Sequence, residues 1–171
     1  KTKLIYIKMD LIILTTAITR GQFHRKSLGK FYNLYQTIFK KDFQNIHHII
    51  NLDYPDKLKD KYSKEETIDL LKEIIPDFVN IEIIDNDTIG FLNAYKNVVS
   101  KTHELNLLHH NCLIWWLEDD WDVVHFNENL FDIIKLFPLH IPIGFNSVRS
   151  SPLGSFRGGP IMTNSYFCKY F

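Results

Sequence analysis

Apolar runs alternate along the chain with amphipathic stretches, a pattern typical of strands that alternate with helices. The runs at residues 11–16, 46–52 and 78–84 predict the first three strands, and a fourth run begins at Cys112. A helix is predicted after each of the first three strands by apolar residues spaced as on one helix face: Leu28, Phe31, Leu34 and Ile38, then Ile68, Leu71, Ile74 and Ile75, then Phe91, Tyr95, Val98 and Val99. The alternation predicts an α/β fold with a mostly parallel central sheet and helices on both faces.

Capping residues and helix breakers predict where the helices begin and end. Ser63 and Glu66 form a capping box before the second helix, and Pro76 ends that helix. Asp87 is expected to cap the third helix.

The last third of the chain continues the alternation. Asn127 is expected to start a further helix, with apolar positions at Leu130, Ile134 and Phe137. Residues 141–146 predict a fifth strand, and residues 150–160 form a loop rich in Ser, Gly and Pro. We expect a single domain over residues 1–171, truncated at its carboxyl end because the last residues resemble the start of a helix.

Composition and charge argue against several classes of protein. Lys plus Arg and Asp plus Glu number 20 each, and no basic stretch is interleaved with aromatic residues, so we expect no nucleic-acid binding. No apolar run is long enough to span a bilayer, so we expect no transmembrane segment. Cys112 and Cys168 lack the spacing of a zinc site or a redox pair. We interpret them as buried thiols, which fits a reducing compartment such as the cytoplasm.

Three consecutive acids, Glu118, Asp119 and Asp120, follow the apolar run of the fourth strand. Adjacent carboxylates repel one another unless a cation shares their charge, so the cluster predicts a divalent metal site. A solvated acidic loop is the alternative, but apolar and aromatic residues resume at Trp121. Side chains alternate along an extended chain, so Glu118 and Asp120 should face one way and Asp119 the other.

Two histidine pairs are weaker metal candidates. His47 and His48 are adjacent on a predicted strand, as are His109 and His110 just before the fourth strand. Neighbouring residues on a strand face opposite sides, so neither pair can chelate one ion. We interpret all four as structural or surface residues.

Four segments in this order resemble the nucleotide-sugar-dependent glycosyltransferases of the GT-A fold. Leu117-Glu118-Asp119-Asp120-Trp121 resembles the acidic "DxD" element in its Glu-Asp-Asp variant. Residues 14–20 are similar to the first strand and nucleotide loop of that fold, and residues 45–53 to its second strand. Residues 156–160, Phe-Arg-Gly-Gly-Pro, resemble the acceptor-side segment.

The resemblance implies a Rossmann-like GT-A domain that transfers a sugar from a nucleoside-diphosphate donor, such as a UDP-sugar, with Mn²⁺ or Mg²⁺. The acceptor would be a hydroxyl of a glycan, a protein or a small molecule. Asp120 would bind the metal, and Glu118 would reach the metal, its water shell or the ribose. Asp119 would lie near the ribose or donor sugar. The nucleotide site would also include Thr15, Thr16, Arg20 and Asp53, and the acceptor side would include Arg157, Gly158 and Gly159.

The chain also departs from the family pattern, and other functions stay open. Ala17 and Ile18 stand where proline or tyrosine is frequent, and Asp120-Trp121-Asp122 is a second literal DxD. No Asp or Glu follows Asp132, so a catalytic base is not identified. A nucleotidyltransferase would require a glycine-rich basic loop after the first strand, where residues 17–21 contain one glycine. A catalytically silent GT-A-like binding domain is the third hypothesis.

Overall fold

A computed structural model describes residues 9–58, 61–85, 89–108, 112–120, 129, 131–132, 143–144 and 161–164. The strands within these ranges are β1 (Met9–Ile18), β2 (Phe43–Asp53), β3 (Asn80–Asp85), β4 (Cys112–Trp116), β5 (Ile143–Gly144) and β6 (Ile161–Asn164). The α-helices are α1 (Lys30–Asp42), α2 (Lys64–Ile74) and α3 (Phe91–Glu104). A π-type turn, Arg25–Gly29, precedes α1, and a short 3₁₀ turn, Asp56–Leu58, follows β2.

The strands form one sheet in the order β3-β2-β1-β4-β6-β5. The first four strands of the chain are all parallel, whereas β6 runs antiparallel to both of its neighbours. The predicted α/β fold with a mostly parallel sheet is therefore confirmed. The predicted fifth strand is present as the two residues of β5. Strand β6 was not predicted, because four residues are too few to show a periodic pattern.

Helices cover both faces of the sheet, as predicted. On one face, Phe31 of α1 and Leu71 of α2 pack with Leu11 and Ile13 of β1. On the other face, Val98 of α3 packs with the intervening β1 residues and with β4. Right-handed crossovers that run in opposite directions along a sheet place their helices on opposite faces. The reversal of direction between β3 and β4 therefore explains why α3 lies apart from α1 and α2.

The predicted helix stripes are mostly buried. Leu28, Phe31 and Ile38 are buried, and Leu34 packs against the same core cluster. Phe91 is the exception, since 57% of it is exposed at the start of α3. Its position in the first turn carries it beyond the edge of the sheet that the rest of α3 covers.

One predicted helix start is confirmed and one is wrong. The Ser63 hydroxyl accepts a hydrogen bond from the Glu66 backbone N–H, as the capping box requires. Helix α3 begins at Phe91 with Gly90 at its N-cap, three residues after the predicted cap, Asp87, which lies outside the described residues. Gly90 has a φ of 115°, which a residue with a Cβ rarely adopts.

Several predictions fall outside the described residues. They are Asn127 and the apolar positions Leu130, Ile134 and Phe137 of the helix predicted after it, the loop at 150–160, the His109-His110 pair and Cys168. Cys112 is described and is buried in β4. In the ranges that the structure describes, no helix is both long enough and apolar enough to cross a membrane.

A buried polar contact joins the sheet to α1. His48 of β2 is fully buried, with its Nε2 2.8 Å from Thr15 Oγ1 and its Nδ1 2.7 Å from Tyr32 OH. Burial lowers the pKa of His48 to about 3, so the ring is neutral at physiological pH. A neutral imidazole donates from one nitrogen and accepts at the other, and both are engaged here. His48 is therefore structural, as interpreted from the sequence.

We expect Tyr32→Phe to destabilise the fold by about 1–3 kcal/mol, because it leaves a buried nitrogen of His48 without its hydroxyl partner. Chemical denaturation at neutral pH measures this difference. Tyr54→Phe is the matched control, since the Tyr54 hydroxyl makes an exposed hydrogen bond to the carbonyl of Tyr62. Equal stability losses in the two variants would contradict the assigned role of the His48 contact.

Candidate functional site

The candidate site lies at the carboxyl ends of the neighbouring parallel strands β1 and β4, and this region is called the crevice below. From β1 the chain extends the sheet in one direction through β2 and β3, and then returns to add β4 at the opposite side of β1. The sheet order therefore changes direction between β1 and β4, and the residues that follow these two strands contact one another. In open α/β sheets, ligands bind in the crevice formed at such a switch point.

The register of β1 against β4 brings Thr16 beside Glu118. Leu14 pairs with Trp116, and the N–H of Leu117 donates to the carbonyl of Leu14 over 2.9 Å. One pair farther along, the Thr16 hydroxyl donates to Glu118 Oε2 over 2.7 Å. The indole N–H of Trp116 donates to the other oxygen, Oε1, over 2.9 Å. Glu118 is thus held in one orientation at the floor of the crevice.

Asp119 lies below the surface of the crevice, with only 3% of the residue exposed. Its Oδ2 accepts a hydrogen bond of 3.1 Å from the backbone N–H of Ile18. Burial raises the pKa of Asp119 to about 7, although the charge of Arg20 and the Ile18 hydrogen bond act in the opposite direction. Asp119 therefore joins the end of β1 to the segment that follows β4.

His24 is a site residue that the sequence did not reveal. It is fully buried, and its Nε2 is 3.1 Å from the carbonyl oxygen of Ile18. Its Nδ1 faces Asp119 Oδ2 at 3.8 Å and has no hydrogen-bond partner among the described residues. Burial lowers the pKa of His24 to about 4, so the ring is neutral at physiological pH. A lone histidine in a polar segment carries no signal of this packing.

The exposed part of the site is an ion pair between the two loops. Arg20 Nη1 lies 4.0 Å from Asp120 Oδ2, and their side chains are 29% and 35% exposed. The Arg20 guanidinium also lies over the ring of Phe23, 5.4 Å from the ring centre. Both charged groups of this pair can therefore be reached from solvent.

Thr15 does not line the crevice, which corrects the prediction from the family resemblance. Its side chain points to the α1 face of the sheet, where it contacts His48. Side chains alternate along β1, so Thr16 and Thr15 lie on opposite faces, and only Thr16 reaches the acids.

Asp53 is at the predicted edge of the sheet but is engaged within the protein. It is 6% exposed, and its Oδ1 and Oδ2 accept hydrogen bonds from the Asn51 amide and the backbone N–H of Gly90. Its carbonyl accepts from both the N–H and the hydroxyl of Thr19. Asp53 therefore connects β2 to the start of α3 and to the loop after β1.

The predicted division of the three acids agrees with their burial. Glu118 and Asp120 are partly exposed, whereas Asp119 is buried. The division arises from a turn rather than from continued strand geometry, because β4 ends at Trp116 and residues 119–120 form a turn.

The carboxylates of this site suit a cation whose other oxygen ligands come from outside the protein. Within the described part of the chain, no three or more His, Cys, Asp or Glu side chains converge on a point that could hold a metal. Glu118 and Asp120 are the partly exposed carboxylates. Magnesium-like cations are commonly held by one or two carboxylates together with substrate phosphates, and this pair of oxygen donors fits that arrangement.

Some predicted site residues cannot be placed. Arg157, Gly158 and Gly159, expected on the acceptor side, lie outside the described residues.

No known protein-family model matches this sequence, and no curated protein is significantly similar to it. The function has therefore to be inferred from the chemistry of the residues at the crevice.

We expect Asp119→Asn to stabilise the protein more at pH 8 than at pH 4.5. The folded-state pKa of Asp119, about 7, lies above its ordinary value of 3.8, so the stability that its protonated form contributes is lost as pH rises between these values. Asparagine stays neutral, so the difference from wild type should grow by up to about 1.4 kcal/mol per pH unit in that window. Urea denaturation at several pH values measures it.

Asp69→Asn is the matched control for this substitution, since Asp69 lies on the exposed side of α2. This control should change stability little, because the Asp69 side chain is exposed. A stability difference for Asp119→Asn that is independent of pH would contradict the raised pKa of Asp119.

Proposed function

We propose that the crevice binds a nucleoside-diphosphate sugar with Mn²⁺ or Mg²⁺, and that the protein is a metal-dependent glycosyltransferase. The observation that supports this most is the meeting of Glu118 and Asp120 with Thr16 and Arg20 at the β1–β4 switch point. Acids and an arginine at one such crevice suit a ligand that carries both phosphates and a cation. The resemblance of the same segments to GT-A glycosyltransferases is a second argument for this proposal.

In this proposal the residues of the chain bind and orient the donor. Asp120 is the accessible carboxylate for the cation, and Glu118 has a fixed orientation for the cation's water shell or the ribose. Arg20 offers a planar set of donors to phosphate oxygens. A bound divalent cation would act as a Lewis acid that offsets the charge on the departing nucleoside diphosphate.

Asp119 and Asp53 take supporting roles. Asp119 holds the Ile18 backbone, which places the β1 loop against the β4 loop, and Asp53 holds the start of α3. Both carboxylates already accept hydrogen bonds from the protein. We propose that these two carboxylates shape the nucleotide site and do not contact the nucleotide directly.

We expect Asp120→Asn to lower the affinity for UDP in the presence of Mn²⁺ by about 10- to 100-fold, the effect of losing one charged contact. The fold should be retained, because Asp120 is partly exposed. Isothermal titration calorimetry with UDP at saturating MnCl₂ measures this affinity. Asp69→Asn provides the same chemical change on the exposed side of α2 and should bind as wild type does. Equal affinities in all three proteins would refute the assigned site.

Product analysis separates the proposed function from its alternatives. Release of UDP from a UDP-sugar, with transfer of the sugar to an acceptor or to water, supports a glycosyltransferase. Release of pyrophosphate from a nucleoside triphosphate and a sugar phosphate would indicate a nucleotidyltransferase instead. Metal-dependent UDP binding with neither product would indicate a binding domain without catalytic activity.

A further inference from the structure

Arg20 is positioned to supply positive charge to the acids of the crevice. Its guanidinium is 4.0 Å from Asp120 Oδ2. Three consecutive carboxylates repel one another, and a nearby cation lowers that cost. Arg20 thus occupies the electrostatic position that a metal ion would take.

We propose that Arg20 is an internal counter-ion: it competes with the divalent cation for Asp120, and it moves to the phosphates when a nucleoside diphosphate binds. This inference rests on the proposed function, because it concerns the same cation and the same diphosphate. It adds that the cation and the nucleotide bind cooperatively, and that Arg20 is the residue that couples them.

The competition follows from charge and distance. A divalent cation bound to Asp120 would lie within a few ångströms of the Arg20 guanidinium unless that side chain moved. Both side chains are partly exposed, so water and salt reduce the repulsion without removing it. A cation that arrives alone must therefore displace Arg20, which weakens its binding.

The transfer of Arg20 follows from the chemistry of its side chain. A guanidinium presents several N–H donors in one plane and binds phosphate oxygens in a bidentate manner. Arg20 lies over the ring of Phe23, 5.4 Å from the ring centre, and its side chain is 29% exposed, so its donors can be reached by a ligand from solvent. Once phosphates accept these donors, Asp120 is available to the cation. Each ligand then raises the affinity for the other by the same factor.

A second observation indicates that the described protein groups do not fully satisfy this site. His24 is fully buried beside Asp119, yet its Nδ1 has no hydrogen-bond partner among the described residues. Buried polar atoms in proteins nearly always have a partner, which can be protein, water or ligand. The site therefore contains a buried polar atom, next to one of the acids, that the described protein groups leave without a partner.

Two substitutions of Arg20 separate its charge from its geometry. Arg20→Gln removes the positive charge and the guanidinium, whereas Arg20→Lys keeps the charge but replaces the planar donor set with a single ammonium group. Arg25→Gln is the matched control, because Arg25 forms an exposed ion pair with Glu73 on the protein surface. Isothermal titration calorimetry of each protein with MnCl₂ alone, with UDP alone and with both gives the affinities and their coupling.

We expect Arg20→Gln to raise the affinity for Mn²⁺ alone by roughly three- to tenfold, because the competing charge is gone. The same variant should lose about 10- to 100-fold in UDP affinity at saturating Mn²⁺, because charged contacts to phosphate are lost. Arg20→Lys should leave the affinity for Mn²⁺ alone near the wild-type value while weakening UDP binding. Arg25→Gln should change neither affinity.

The possible failures are distinguishable. If wild type binds Mn²⁺ and UDP together but Arg20→Gln does not raise the affinity for Mn²⁺ alone, the counter-ion role is refuted and the proposed function stands. If Arg20→Gln raises the Mn²⁺ affinity but leaves the coupling with UDP unchanged, the transfer to phosphate is refuted. If wild type binds no UDP with Mn²⁺, the proposed function and this inference are both refuted.

Discussion

The parallel pairing of β1 with β4 is the constraint on which the site depends. In the register of this pairing Leu14 lies beside Trp116. A backbone hydrogen bond from Leu117 to Leu14 extends the pairing by one residue beyond the end of β4. Thr16 consequently meets Glu118, although 101 residues separate them in the chain. A slip of one residue would turn every side chain of β4 to the opposite face and move Trp115 out of the aromatic core. The core and the crevice therefore require the same register.

The crevice also reflects the cost of placing three acids at the edge of a core. The protein reduces that cost differently for each acid: hydrogen bonds to Glu118, a raised pKa for buried Asp119, and the Arg20 guanidinium beside Asp120. Buried carboxylates without such compensation would be strongly destabilising. Two of the acids also stay partly exposed, so water solvates part of their charge.

The features that the sequence predicts well are those set by local periodicity. The apolar runs and helix stripes predicted the first four strands and three helices, and the acids after residue 117 were correctly placed at a strand end. The features that it missed depend on distant contacts. The residues that flank His24 in the sequence do not indicate that it packs against Asp119. Those that flank Asp53 do not indicate that its carboxylate accepts a hydrogen bond from the backbone N–H of Gly90. Thr15 was misplaced because a resemblance between segments does not specify which neighbouring side chain faces the crevice.

The central claim is that a cation and a nucleoside diphosphate bind together between the carboxyl ends of β1 and β4. A crystal structure of the protein with MnCl₂ and UDP, with diffraction data collected at the manganese absorption edge, tests it most directly. We predict one anomalous peak within bonding distance of an Asp120 carboxylate oxygen, with the diphosphate beside it and Arg20 turned toward the phosphates. Nucleotide and manganese bound elsewhere on the protein, with the crevice acids still paired to Arg20, would contradict the account.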